Sequence, residues 1–218
     1  MNDPISHNKY NQILGIDESG KGDFFGPLVI AGVLTDAAGA DELAQKNIRD
    51  SKKISDNKIL ELSRWITERF IHSVVVIGPE KYNQLYAQIK NLNRLLAWGH
   101  SRVIENIAAD AKIDLAVSDK FGRTDFIERA LMDKGRNIKL VQMIKGENVI
   151  QVAAGSILAR AAFVNYMSRL SSQYGLKIPK GAGTIVDDAA RKLVSEYGAE
   201  ILGKLSKTHF KNFKKVIG

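Results

Sequence analysis

Asp17 and Glu18 stand side by side where an apolar run, Ile13-Leu14-Gly15-Ile16, gives way to Ser19 and then to Gly20-Lys21-Gly22. Adjacent carboxylates at a strand end offer hard oxygen ligands to a divalent cation. A Gly-Lys-Gly turn exposes backbone N–H groups and a lysine, which suit a phosphate. A second apolar run, Leu28 to Leu34, follows. The pattern fits a metal ion facing a phosphate.

The chain holds 24 Asp and Glu, so a rule is needed to choose among them. Ligand sites in α/β sheets lie beyond the carboxyl ends of strands. Asp17 and Glu18 satisfy this. So does Asp119, after Ile113-Asp114-Leu115-Ala116-Val117-Ser118, and so does Glu147, after Ile138 to Ile144 and a Lys145-Gly146 turn. If these strands are neighbours, four carboxylates converge. Without cations they would repel one another. Two Mg²⁺ ions roughly 4 Å apart would neutralise them and suit in-line phosphodiester cleavage. Taken singly, each acid reads better as a turn former or a helix cap than as a ligand. The reading draws its force from the three places together with the Gly-Lys-Gly turn.

Other polar groups fit chemistry less well. Asp187-Asp188 sits at a helix start, where acids cap and complement the helix dipole. Asp114 reads as lying inside a strand. Asp50 precedes Ser51-Lys52-Lys53, a candidate phosphate-contact loop. His7, His72, His100 and His209 are scattered, with no metal-ligand spacing. Gly15-x-x-x-x-Gly20-Lys21 nearly matches the phosphate-binding loop of nucleotide hydrolases. It fails at Gly22, where Ser or Thr should hold Mg²⁺, and it places Asp17 and Glu18 where a nucleotide phosphate would be repelled. A nucleotide hydrolase therefore ranks below a metal-dependent nuclease.

Positioning these groups requires a sheet. Strands are predicted over Gln12–Ile16, Phe25–Leu34 and Ser73–Ile77, the last with a β-branched core, Val74-Val75-Val76-Ile77. Ile59, Leu62, Ile66 and Phe70 recur at helical spacing in a helix over Ser55–Phe70, with Ser55 as N-cap. Pro79 opens a helix toward Ile89, and a third covers Asn91–Ala109. Then strands and helices alternate: Ile113–Val117, helix Thr124–Met132 with Gly135 beyond its end, Ile138–Ile144, and a long helix Val149–Leu170. The small residues Ala153-Ala154-Gly155-Ser156 near its start let it lie close to a sheet. Asp187–Leu202 and Thr208–Val216 read as helices. The order predicts an α/β fold with a mixed central sheet flanked by helices and a helical C-terminal region.

The 218 residues suit one domain, with a core over about 12–180 and a helical extension over 181–218. Apolar residues make up 44% and charged residues 26%, as in ordinary globular proteins. The absence of cysteine excludes disulfide frameworks, zinc-thiolate sites and cysteine nucleophiles, and suits a reducing, cytoplasmic setting. No apolar run approaches the ~20 residues of a membrane span, and Met1 to Asn11 lacks the apolar centre of a signal peptide. The net charge of +8 is uneven: residues 1–110 carry 13 Lys and Arg against 14 Asp and Glu, residues 111–218 carry 19 against 10. Five lysines, Lys204, Lys207, Lys211, Lys214 and Lys215, fall in the last fifteen residues, which hold no acid. Such a segment suits a polyanionic partner or is simply a solvated lysine-rich face.

The loop Asp-Glu-Ser-Gly-Lys-Gly-Asp-Phe-Phe-Gly-Pro from Asp17 to Pro27 resembles that of the type 2 ribonuclease H family, in its HIII branch. The HII branch usually has Asp-Glu-Ala-Gly-Arg-Gly. Further matches are Asp50-Ser51-Lys52-Lys53, the segment from Asn91 to His100, Ser118-Asp119-Lys120-Phe121, Lys145-Gly146-Glu147, the segment from Ala153 to Arg160, Pro179-Lys180-Gly181-Ala182-Gly183, and His209-Phe210-Lys211-Asn212. The resemblance covers about Ile13 to Lys215. It implies an RNase H-like fold and endonucleolytic cleavage of the RNA strand of RNA/DNA hybrids, leaving 5′-phosphate and 3′-hydroxyl ends. It implies Mg²⁺, with Mn²⁺ as a substitute, and a catalytic and metal-binding set of Asp17, Glu18, Asp119 and Glu147. HII members usually have Asp at the last position. Gly20, Lys21 and Gly22 match the motif whose backbone contacts ribose 2′-hydroxyls, and Ser51, Lys52 and Arg160 match phosphate contacts. Only the 2′-hydroxyl distinguishes RNA from DNA at one nucleotide, and glycine admits close backbone approach.

Two departures shape the expectation. The HII branch usually carries a Tyr in a Gly-Tyr-Gly-Thr segment, where the ring stacks on a sugar at the RNA–DNA junction; here the segment is Gly181-Ala182-Gly183-Thr184. Alanine has no ring, so runs of ribonucleotides should be favoured over a single embedded one. HIII members typically add an N-terminal substrate-binding domain, whereas about a dozen residues precede the first predicted strand here. The expectation is weaker, more salt-sensitive hybrid binding. The sequence thus leads to a monomeric, metal-dependent ribonuclease H acting on RNA/DNA hybrids, with no membrane partner. The other readings are a non-catalytic hybrid-binding protein, a DNA nuclease on the same fold, and the nucleotide hydrolase.

Overall fold

The computed structural model describes residues 5, 9–48, 54–130, 135 and 138–218. Five strands are present among them: β1 Ile13–Ser19, β2 Leu28–Thr35, β3 Ile71–Ile77, β4 Leu115–Asp119 and β5 Lys139–Met143. They form one mixed sheet in the order β3-β2-β1-β4-β5. β1 pairs with β4 in parallel, with Ile16 opposite Ser118, and β4 pairs with β5 in parallel, with Asp119 opposite Met143. Every residue of β2 is buried, as expected of an inner strand covered on both faces.

The helices are α1 Ala37–Gln45, α2 Asp56–Thr67, α3 Pro79–Ile89, α4 Leu92–Ala108, α5 Thr124–Ala130, α6 Ile150–Gln173, α7 Thr184–Tyr197, α8 Ile201–Leu205 and α9 Lys211–Ile217. The expected N-cap holds, Ser55 accepting from Lys58 N–H, and Asn91 caps α4 by accepting from Arg94 N–H. Among the described residues no helix is long and apolar enough to cross a membrane.

Several boundaries differ from the sequence expectation. β1 continues through Asp17 and Glu18 instead of stopping at Ile16. β2 begins at Leu28, not Phe25, because Gly26 has φ +80° and Pro27 has no N–H. Asp114 lies just before β4, where its carboxylate accepts from the N–H groups of Asn11 and Gln12. The helix expected over Asp187–Leu202 begins earlier, at Thr184, and is broken into α7 and α8 at Gly198, whose φ is +81°. α1 adds a helix absent from the sequence expectation; it is short, capped by Asp36, and buries only Gly39 and Leu43. The far end of the helix predicted over Thr124–Met132 lies outside the described residues.

Contacts group the chain into two compact units. One draws on the described residues of Met1–Glu18, Ile30–Val75 and Asn91–Ala161. Its apolar centre includes Ile13, Leu115, Val117 and Val152. The small-residue start of α6 lies against the sheet as expected. A Cβ on Gly155 would stand 2.9 Å from the carbonyl oxygen of Ala31, and one on Gly15 would run into the backbone of Gln151 and Val152. Only glycine lets strand and helix meet backbone to backbone here.

The other unit comprises Ser19–Val29, Val76–Lys90 and Ala162–Gly218. In it α3 packs on α8, and α7 packs on α8 and α9. Asn83 of α3 ties down the segment after α8, donating to the carbonyls of Gly203 and Ser206 and accepting from Thr208 N–H. Lys204, Lys211, Lys214 and Lys215 are exposed. Lys207 is fully buried, so it is not part of a cationic surface.

Candidate active site

The parallel pairing of β1 and β4 brings the first acids together. Their ladder runs to Ile16 opposite Ser118, and the next residue on each strand is an aspartate, Asp17 and Asp119. Ser156 of α6 hydrogen-bonds the Asp17 carboxylate. The neighbouring Gly155 makes this approach feasible, since a Cβ there would lie 2.9 Å from the carbonyl oxygen of Ala31 and 3.1 Å from that of Gly15. Asp17 Oδ1 also accepts from Glu18 N–H at 2.8 Å.

Asp119 is held from β5's side. Its Oδ1 accepts from Gly146 N–H at 3.0 Å. Lys145 adopts φ +60° and swings the chain into a short 3-10 turn, Gly146–Asn148. A Cβ on Gly146 would lie 2.8 Å from both N and Cα of Asp119, so the turn is packed directly on the strand end. Glu147, half-buried, is the next residue.

Glu18 has a partner that sequence reasoning missed. His100 Nε2 of α4 lies 3.4 Å from Glu18 Oε2, and the imidazole is completely buried. The ring packs on Phe121, with centroids 4.6 Å apart, and its Nδ1 has no hydrogen-bond partner. With the proton on Nε2 the ring donates to Glu18 and fixes the carboxylate. The available signal was the position of His100 on the buried face of α4, one turn after Leu96 and one turn before Val103 and Ile104.

The electrostatics follow from this crowding. Burial, with the charge of Glu18 next and Asp119 adding to it, pushes the Asp17 carboxyl up to about 7. The N–H of Glu18 and the hydroxyl of Ser156 act in the opposite sense. Asp17, Glu18 and Asp119 thus act as one electrostatic group. Among the described residues, no three His, Cys, Asp or Glu side chains are already drawn together as ligands of one ion. The donor set is nevertheless all carboxylate oxygen, which suits Mg²⁺ or Mn²⁺. A cation there would relieve the burden that raises Asp17.

The remaining predicted residues fall elsewhere. Gly20, which follows β1 directly, has φ +85°, and a Cβ on it would strike the carbonyl oxygen of Pro27. Lys21 is half-exposed. Gly22 is exposed, and a Cβ added to it would meet nothing within 4 Å. Arg160 Nη2 donates to Asp56 Oδ1 at 2.9 Å. Ser51 and Lys52 lie outside the described residues.

The structure superposes on the crystal structure of Bst-RNase HIII in complex with Mn²⁺ with a TM-score of 0.88 at 34% identity, covering 95% of this chain and 69% of that one. It superposes on the RNase H3 of Aquifex aeolicus with a TM-score of 0.76 at 27% identity, covering 91% and 72%. The fold is that of a ribonuclease H, a hydrolase that cuts RNA internally in RNA/DNA hybrids. The family model described as ribonuclease HII matches residues 14–213, and the chain belongs to that family. Within it, the ribonuclease HIII of Chlamydia pneumoniae is 45% identical over 206 residues, 93% of this chain and 69% of that protein.

Proposed function

We propose that this chain hydrolyses the RNA strand of RNA/DNA hybrids with two divalent ions, leaving 5′-phosphate and 3′-hydroxyl ends, and that it favours runs of ribonucleotides over single embedded ones. The observation that carries the reading is the pairing of β1 with β4, which runs to Ile16 and Ser118, brings the next residues, Asp17 and Asp119, to one end of the sheet and leaves Asp17 half-buried with a carboxyl raised to about 7. Bound Mg²⁺ or Mn²⁺ would supply the positive charge that readies a water for attack and steadies the leaving 3′ oxygen.

Asp17, Glu18, Asp119 and Glu147 are the residues to hold these ions. Ser156 and Glu18 N–H orient Asp17, Gly146 N–H orients Asp119, and His100 orients Glu18. Gly20, Lys21 and Gly22 serve substrate recognition. Gly20 supplies the left-handed bend, and the open backbone at Gly22 lets a ribose 2′-hydroxyl come close. Ser51, Lys52 and Arg160 are assigned to phosphates, Arg160 with its guanidinium braced by Asp56.

The experiment compares a labelled RNA/DNA hybrid with a matched DNA duplex carrying one ribonucleotide, each with Mg²⁺ and with EDTA. Metal-dependent cutting of the hybrid with little at the single ribonucleotide is expected. Asp17→Asn should lose cleavage and keep hybrid binding. Equal cutting of both substrates would overturn the preference, and an active Asp17→Asn would overturn the assignment of the acids.

A further inference from the structure

Lys207 is buried with no exposed surface, yet its side chain is placed with care. Nζ donates to the carbonyls of Asp23 and Gly26, each at 2.8 Å. The backbone around it completes the hold: Lys207 N–H donates to Phe24 O at 2.8 Å, Gly26 N–H donates to Leu205 O at 2.9 Å, and Phe25 bridges Ser206. The amine also lies 5.6 Å from the ring centre of the buried Tyr82. Burial pushes the ammonium down to about 7, the charge of Asp23 opposing. A methionine would fill this space without that desolvation cost, so what the lysine adds is hydrogen bonds to two carbonyls of one loop.

That loop has two further connections. Asp23 N–H reaches back to Gly20 O at 3.3 Å, closing the Gly20-Lys21-Gly22 turn. Forward, Asp23 Oδ1 accepts from Gly181 N–H at 2.6 Å and Phe24 N–H donates to Gly181 O at 2.9 Å. Asn212 then holds Ala182 O at 3.0 Å and also binds Asp187. The turn and the Gly181–Gly183 segment therefore share one hydrogen-bonded frame, with Lys207 at its centre.

We propose that Lys207 is a positioning residue for ribose recognition, its buried amine fixing the Asp23–Gly26 backbone so that the Gly20-Lys21-Gly22 turn and the Gly181–Gly183 segment present one rigid surface to the RNA strand. The inference rests on the reading that this turn meets 2′-hydroxyls. Lys207 touches no substrate and acts through the backbone it holds.

The test uses the full chain with Lys207→Met, which keeps the volume and removes the donors, and Lys207→Gln, which keeps two N–H donors on a shorter neutral side chain. Binding to an uncleaved RNA/DNA hybrid and to the matching DNA duplex is measured in EDTA, with melting curves and Mn²⁺ titration alongside. In folded Lys207→Met the preference for hybrid over duplex should fall about tenfold through lost preorganisation. Mn²⁺ affinity should be unchanged, amide exchange at Gly22 to Phe24 faster, and Lys207→Gln should recover part of the preference. A folded Lys207→Met with wild-type preference overturns the inference alone. A wild-type protein with no preference overturns the ribose reading and the inference with it. If Lys207→Met does not fold, Asp23→Ala, which removes the side-chain half of the link to Gly181, must lower the preference in the same direction; wild-type preference in that variant overturns the shared frame.

Discussion

The imidazole of His100 lies 3.4 Å from the carboxylate of Glu18, across 82 residues of sequence, with no part of the ring exposed. The contact orients Glu18 from the buried face of α4. His100→Ala should weaken Mn²⁺ binding and slow hybrid cleavage about 10- to 100-fold, the usual cost of losing a group that orients a metal ligand. Hybrid binding in EDTA should not change. Titration calorimetry with Mn²⁺ and steady-state cleavage rates check this, and an unaltered metal affinity would refute it.

Asp17 makes metal-free stability depend on pH. Its carboxyl titrates near 7 in the folded protein against 3.8 for the unperturbed group. Between those values the folded state keeps a proton that the unfolded state has released. The contribution is therefore fully present below pH 3.8 and is lost as the pH rises through 7, at roughly 1.4 kcal/mol per pH unit and on the order of 4 kcal/mol in all. Subtracting Asp17→Asn from wild type in EDTA should reveal this slope, with the variant the more stable at pH 8. Mn²⁺ should raise the wild-type melting temperature at pH 8 more than that of the variant. Parallel stability curves for the two proteins would contradict the argument.

Two glycines should respond differently in stability. Gly146→Ala places a methyl 2.8 Å from the Asp119 backbone; overpacking of this kind costs about 1–3 kcal/mol and should displace Glu147, lowering activity. Gly22→Ala meets nothing within 4 Å, so its stability should stay within about 0.5 kcal/mol of wild type. Its hybrid affinity should nonetheless fall, because the methyl stands where the ribose would approach. Thermal melts paired with binding in EDTA separate the two effects.

Ala182 is exposed and contributes its carbonyl, not its side chain, to the frame around Gly181. Ala182→Tyr should therefore fold normally and add a ring able to stack on a sugar. Cleavage of a duplex with one ribonucleotide should rise relative to a long hybrid. No change in that ratio would remove the missing ring as the cause of the preference.

The parts of the molecule legible in its sequence were those encoded locally. β-branched and apolar runs marked the strands, Ser55 announced its helix, and acids at the ends of apolar runs marked Asp17 and Asp119. Ala153 to Ser156 disclosed a helix lying close to the sheet, and Gly155 does so. What stayed hidden depended on distant neighbours. His100 has no ligand spacing because its role is set by where α4 lies against β1. Lys207 looked like one more surface cation because nothing in its surroundings in sequence shows the carbonyls of Asp23 and Gly26. α1 buries too little, Gly39 and Leu43 alone, to stamp a periodicity on its residues.

The long reach of Lys207 has a consequence for how the protein is made. Its amine meets carbonyls 184 and 181 positions earlier in the chain, and translation proceeds toward the C-terminus. The Gly20-Lys21-Gly22 turn is therefore synthesised long before the lysine that secures it. A nascent chain still on the ribosome, close to messenger RNA, carries its acids long before it can hold that turn in place. Any selectivity that depends on this turn is thus acquired only once Lys207 has been made.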